Sequence, residues 1–395
     1  MDASQDVRPP LMQTELIHEA RRQAEICNAC RYCEGYCSVF PSLHAERAFS
    51  DGDITQLANL CHNCRGCYYA CQYTAPHEFD LNLPKALAEV RRNSWECFAW
   101  PQPLARRFHT HGGTIALALV IGFAMLFLAI LAIGSSGGEG FYAVLSHNAM
   151  VAIFAPAFLL PLFSLAISLR RYWVEVGGKP VQIADVTAAF KRAGKMQDLA
   201  AGHAEGCNFE DEDRFSQARR HIHQAIMYGF LLCFASTSVA TVMHYGFGMH
   251  APYGFWSLPK LLGIPGGVLL TVGCGAMVYL KQKSDRDLGD PMAWGGDIAF
   301  TLLLGFVGLS GLGLYALGST AMMPALLAVH LGSVLTFFVL MPYTKMAHGF
   351  YRVAALIRDA QRKRDLISAG KKPVSAGRRE GRFASLVRKY RSQGT

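Results

Sequence analysis

The residues of this 395-residue chain best suited to chemistry are eight cysteines near its start. Cys27, Cys30, Cys33 and Cys37 stand in a C-x2-C-x2-C-x3-C run, and Cys61, Cys64, Cys67 and Cys71 repeat it 34 residues later. A structural zinc takes four ligands, usually from two separated C-x2-C knuckles. Three thiols at x2 spacing followed by one at x3 is instead the iron–sulfur arrangement. The close trio holds three irons of one cubane, and the displaced fourth reaches the other cluster. The duplication therefore predicts two [4Fe–4S] clusters, one on Cys27, Cys30, Cys33 and Cys71 and one on Cys61, Cys64, Cys67 and Cys37. The usual run ends in Cys-Pro, whereas here Ser38 and Gln72 follow the fourth thiols, with Pro41 and Pro76 a few residues on. Cys97, Cys207, Cys233 and Cys274 lack the spacing, and Cys233 and Cys274 read as small packing residues inside apolar stretches.

Histidines are the second set. His330 is the only ionisable residue in an uncharged stretch at 321–341, and an ionisable group at that depth is a functional hypothesis. His348 follows the same stretch. An earlier stretch at 224–243 is bracketed by His221 and His223 before it and His244 after it. If the two segments run antiparallel, His223 and His348 share one level and His244 and His330 the other. Each pair then offers two neutral imidazoles to a b-type haem, giving one haem or two. His221 and His223 point to different helix faces, so one of them is the ligand. Arg219 and Arg220 adjoin the first level and are expected to face haem propionates. Tyr343, Lys345 and His348 are candidates for a quinone site.

These residues need a membrane to be positioned in. Hydrophobic residues make up 51% of the chain and charged ones 17%. Six stretches free of Asp, Glu, Lys and Arg, at 113–133, 149–169, 224–243, 261–280, 298–318 and 321–341, are each long enough to cross a bilayer. Lys and Arg gather in alternate connections ("RRYW", "KRAGK", "ARR", "KQKSDR") and in the C-terminal tail, which puts those loops and both termini on the cytoplasmic side of the inner membrane. Residues 1–26 hold no apolar signal-type stretch, in keeping with a reducing compartment where clustered thiols bind metal rather than pair. The tail from Gln361 to Ser392 reads as a basic segment resting on anionic lipid rather than on nucleic acid.

The fold class expected is all-α, a helical two-cluster ferredoxin-like domain followed by a six-helix transmembrane bundle. Its boundaries are 11–100 for the cluster domain, 108–350 for the bundle and 351–395 for a basic cytoplasmic tail. The inner loop 170–220 is expected to lie beneath the clusters. "LIHEARRQAEI" and "LNLPKALAEVRR" flank the thiols with helical periodicity. No G-x-G-x-x-G fingerprint follows a strand, so the chain reads as a wire and not as a dehydrogenase.

The cysteine sets, "YGFLLCFASTSVAT" and "HYG" together resemble the tricarballylate- or citrate-utilisation protein B family over nearly the whole chain. They are also similar to the iron–sulfur/haem half of CobZ-type enzymes. The His330-x17-His348 segment with its "PYTK" resembles the haem helix of nitrate reductase gamma subunits, where both histidines ligate haem. The family resemblance implies a membrane adaptor. It takes electrons from a partner FAD-dependent dehydrogenase, a flavoprotein acting on a small tricarboxylic acid, and passes them to the quinone pool. Two other readings remain: a quinol-oxidising subunit feeding a cytoplasmic reductase, and a membrane-bound iron–sulfur redox sensor.

Overall fold

The computed structural model describes residues 14–37, 39–133, 146–200, 206–209 and 214–370. Within them the chain forms thirteen α-helices and no strand, apart from one isolated bridge between Cys207 and Ser216.

The thiol layer comes first. It consists of α1 (Thr14–Cys30), α2 (Val39–His44), α3 (Asp51–Leu60), the single turn α4 (Gly66–Tyr69) and α5 (Leu83–Phe98). Local chemistry starts these helices. Ser50 and Asp53 form a reciprocal capping box at the start of α3. Asn82 accepts from the Lys85 amide at the start of α5, with Pro84 in its first turn. The apolar stripes of α1, α3 and α5 meet in a core of Ala20, Ala24, Ile54, Leu57 and Leu87, all almost fully buried.

Six helices are long and apolar enough to cross a membrane: α6 (Gln102–Ile133), α7 (His147–Glu175), α9 (Ala218–Phe247), α10 (Leu258–Gln282), α11 (Ala293–Leu317) and α12 (Met323–Leu340). The architecture is that of a multi-pass membrane protein. Non-helical backbone at His111 kinks α6, separating a charged first part from the apolar span that starts near 113. Glycines bring the helices close. A Cβ on Gly229 of α9 would lie 2.6 Å from the Leu270 amide of α10, and one on Gly332 of α12 would lie 2.8 Å from the Ala124 amide of α6.

Two further helices join the layers: α8 (Ile183–Lys195), in the inner loop, and α13 (Ala347–Ser368), after the last span. The first part of the expected basic tail is thus a packed helix. Tyr351, Ala355, Leu356 and Asp359 are buried on one face of α13. Trp95 stacks on Tyr351 at 5.8 Å, Gln56 donates to the Ala355 carbonyl (2.8 Å), and Ser42 donates to Asp359 (2.6 Å). The charge count misled here because Tyr351, Ala355 and Asp359 recur every four residues as buried positions among the basic ones, of which Arg358 is itself buried. Residues 371–395, the rest of that tail, lie outside the described residues. The inner loop also reaches the thiols, since the Asn208 amide donates to the Cys64 carbonyl at 2.9 Å.

Candidate iron–sulfur and haem sites

The thiols sit where helices stop. Cys27 and Cys30 occupy the last turn of α1, which ends as Arg31 takes a left-handed φ of 57°. In the second loop Asn63 (φ 51°) and Arg65 (φ 66°) are left-handed too. Such backbone costs about 1–2 kcal/mol per non-glycine residue. These turns reverse the chain between successive thiols, bringing several side chains to one point. Backbone amides of Asn63 and Tyr73 lie 3.4 Å from the sulfurs of Cys61 and Cys71, contacts of the kind that stabilise thiolate sulfur.

Two cavities result. Cys37, Cys61, Cys64 and Cys67 line one, with Val39, Leu60 and Leu87 as apolar walls. Cys27, Cys30, Cys33 and Cys71 line the other, with Tyr32, Tyr68 and Tyr73. Phe40 and Cys67 border both, so the two are neighbours. The fourth thiol of each run therefore lies with the trio of the other run. Among the described residues no three His, Cys, Asp or Glu side chains are grouped to hold a single metal ion. A cubane holds its thiolates apart at the corners of a cluster, and four thiols spread around each cavity fit that group.

The electrostatics agree with a site built for a cationic core. Burial, reinforced by neighbouring thiols, pushes Cys27 and Cys33 up to about 12. A hydrogen bond with Cys64, then burial, raises Cys37, and the same bond lowers Cys64. Burial raises Cys67 and Cys71 as well. Four facing thiols resist ionising together, so loading iron must release protons, as thiolate metal sites do.

The histidines divide by level. His223 on α9 and His348 on α13 face each other with ring centres 5.8 Å apart. Two imidazoles on one iron, with metal–nitrogen bonds of about 2 Å, would hold their ring centres roughly 6 Å apart. His348 Nδ1 contacts the Lys345 carbonyl, which can only accept, so its proton sits on Nδ1 and Nε2 keeps the lone pair. Burial, with His223 and Lys345 nearby, pushes His348 down to about 3, leaving it neutral at pH 7. His223 Nδ1 is buried without a hydrogen-bond partner. His221 is exposed, which separates it from His223. Along its length α9 packs on α10, whereas it meets α7 and α12 through rings: Phe158–Phe234 at 6.3 Å and Phe230–Phe337 at 5.7 Å. That side-chain-spanned gap and the imidazole pair fit a flat haem group.

The outer pair, His244 and His330, does not come together in this structure. His244 stacks on His147 at 4.3 Å, and its Nδ1 lies 3.0 Å from that of His250. His330 turns toward α11, where it is 3.0 Å from Ser310 Oγ and covers Gly311. A hydroxyl thus satisfies its buried ring. Arg219 and Arg220 both have partners within the chain. Arg219 donates to the Asn63 carbonyl (2.8 Å) and lies over the Phe209 ring (4.2 Å), while Arg220 donates to the Lys195 carbonyl (3.0 Å). Of the quinone candidates, Tyr343 donates to the Trp100 carbonyl (3.0 Å) and Lys345 to Asp297 (2.9 Å), which also holds Lys281 (2.7 Å).

Sequence reasoning missed Arg91 and Arg352, which both donate to the Cys61 carbonyl, at 2.6 and 2.9 Å. One signal existed: Arg352 stands one helical turn after His348, and Arg219 one turn before His223. Cys207 was also missed, buried with its thiol on the Leu199 carbonyl (3.3 Å) and close enough to Cys64 to interact electrostatically.

A ferredoxin-like thiol layer set on six membrane-length helices defines a membrane iron–sulfur protein. The chain belongs to the citrate utilization protein B family, whose family model matches residues 108–369, with a second model, the Fer4-like domain of the same protein, matching residues 20–96. It is 42% identical over 367 residues to citrate utilization protein B of Escherichia coli, an alignment covering 90% of this chain and 95% of that one. No solved structure matches it.

Proposed function

We propose that this protein is the membrane electron-transfer component that re-oxidises a partner FAD-dependent dehydrogenase acting on a citrate- or tricarballylate-type acid, delivering the electrons to the quinone pool. In this reading Cys27, Cys30, Cys33 and Cys71 hold one [4Fe–4S] cluster and Cys61, Cys64, Cys67 and Cys37 the other. His223 and His348 would hold one b-type haem. Clusters and haem bound there would supply one-electron transfer between a two-electron flavin and a quinone that takes two electrons and two protons.

The observation that carries the reading is adjacency. Two thiol cavities share the wall formed by Phe40 and Cys67, and the loop of the second touches both helices that bear the paired histidines. The chain's own part is to hold donors in fixed positions and keep water away. Its cluster domain is placed at 11–100 and its bundle at 108–350, with α13 folding back between them. Positive loops set this side of the bundle, and both termini, on the cytoplasmic face of the inner membrane.

The test is the optical spectrum of the purified protein. Dithionite is expected to bring up a b-haem band at about one haem per chain, and a short-chain quinone added anaerobically to bleach it. A protein without a b-haem band, or with one that quinone leaves reduced, overturns the proposal.

A further inference from the structure

The two thiol sites share a spacing but not a setting. Among the described residues no charged side chain lines the first cavity, and its rim is open, with Cys30 exposed and Tyr32 63% exposed. The second lies deeper, and four guanidinium groups converge on its Cys61–Arg65 turn. Arg91 and Arg352 donate to the Cys61 carbonyl, Arg219 donates to the Asn63 carbonyl, and Arg65 lines the cavity while donating to Asn63 Oδ1 (3.1 Å). Arg352 also donates to His62 Nδ1 (3.2 Å). The one acid in the lining, Asp198, is paired with Arg192 at 2.9 Å.

Two of these arginines sit on the helices of the paired histidines. Residues four apart share a helix face. Helix α9 therefore presents Arg219 to the thiol loop and His223 to the facing imidazole, and α13 does the same with Arg352 and His348. The second site and the imidazole pair are thus tied by two side-chain bridges, one from each helix.

We infer that the two clusters act in a fixed order: the first-site cluster exchanges electrons with the soluble partner, and the second, held at higher potential by Arg91, Arg219 and Arg352, exchanges them with the group held by His223 and His348. This rests on the functional reading above. Each step moves one electron and no atom. Reduction adds negative charge to a cluster already made anionic by four thiolates. Burial alone disfavours that charge. Fixed cations shielded from water favour it, because little solvent screens them. Arg219 and Arg352 are positioning residues, acting on the potential and on the approach of the two helices.

The test is a redox titration of the purified full chain in detergent, with iron and haem measured first. Absence of two clusters' worth of iron or of the haem overturns this inference together with the functional reading. With both present, the cluster lost in Cys64→Ser is expected to be the one of higher potential. Arg352→Gln should shift its reduction equilibrium at least tenfold, about 59 mV for one electron, while the cluster lost in Cys30→Ser keeps its potential. Arg219→Gln should act in the same direction, and Arg352→Lys should recover most of the shift. A lower potential for the Cys64-dependent cluster, or movement of both clusters or of neither in the glutamine variants, overturns the inference and leaves the functional reading standing. If Arg352→Gln fails to fold, Arg219→Gln carries the same comparison.

Discussion

The two ends of the membrane bundle treat histidine differently. At the end that meets the thiol layer, His223 and His348 come from separate helices and meet edge to face, their ring planes 77° apart, one with its Nδ1 fixed by a backbone carbonyl. At the other end His147, His244 and His250 gather on one another, with Tyr245 bonded to His147 at 2.7 Å. The difference is one of surroundings. The first end lies against α13 and the Cys61–Arg65 loop, which Arg219 and Arg352 join to the two helices that bear the rings. The second gathers residues near helix ends, where the histidine rings and Tyr245 contact one another. Among the described residues, the pair of rings spaced for one iron lies where the two layers meet.

The strongest way to break that comparison is to remove the layer that orders the inner end. Cys37→Ser and Cys64→Ser are expected to abolish the same cluster, and Cys71→Ser and Cys30→Ser the other. Each variant should lower cluster iron from about eight to about four per chain. Spectroscopy that resolves the two clusters checks this. Loss of the same cluster in Cys37→Ser and Cys30→Ser would mean that each run keeps its own fourth thiol. Cys97→Ser, whose sulfur lies away from both cavities, should leave cluster iron unchanged.

The comparison sharpens at the haem. His223→Ala and His348→Ala are each expected to remove the b-haem band, whereas His330→Ala, His147→Ala and His250→Ala should retain it. The pigment content of purified variants decides the matter. Loss of haem in His330→Ala with retention in His348→Ala would sink the inner-pair assignment. It would return the ligands to the middle of the bundle.

What could be read beforehand follows from what kind of signal each feature leaves. The thiols were legible because their spacing along the chain is itself the ligand pattern, and the duplication repeats it. Six spans were legible because a bilayer sets both length and charge. The level of each histidine followed from its place along a span, but its rotation about the helix axis did not. For that reason His223 and His348 meet, while His330 faces Ser310 instead of His244. The contacts of the arginines were not legible, because a long side chain one turn from a histidine reaches either neighbour, and Arg219 bonds the Asn63 turn. Helix α13 was hidden by its own charges. Tyr351, Ala355 and Asp359, spaced four apart, were the pattern that a count of basic residues passed over.

The smallest effect expected concerns the fastening of α13, which distinguishes the inner end from the outer. Asp359 is buried and accepts from Ser42, Arg192 and Lys363, tying α13 to α2 and α8. Burial alone would raise its carboxyl, but Lys363 and Arg192 outweigh that and hold it below the ordinary range. A carboxyl depressed on folding contributes stability that is present above its unfolded value of about 3.9 and is lost as pH falls through the folded one. Acid should therefore loosen α13 first, and with it Arg352 and His348, so that haem is released before the first-site cluster. Asp359→Asn should cost roughly 1–3 kcal/mol at neutral pH, because Arg192 loses a buried partner. The same change should flatten the pH dependence between about 4 and the onset of general acid unfolding. Thermal melts of both proteins across that range, followed by haem absorbance, make the measurement. Equal pH dependence in the two would show that Asp359 does not govern the docking of α13.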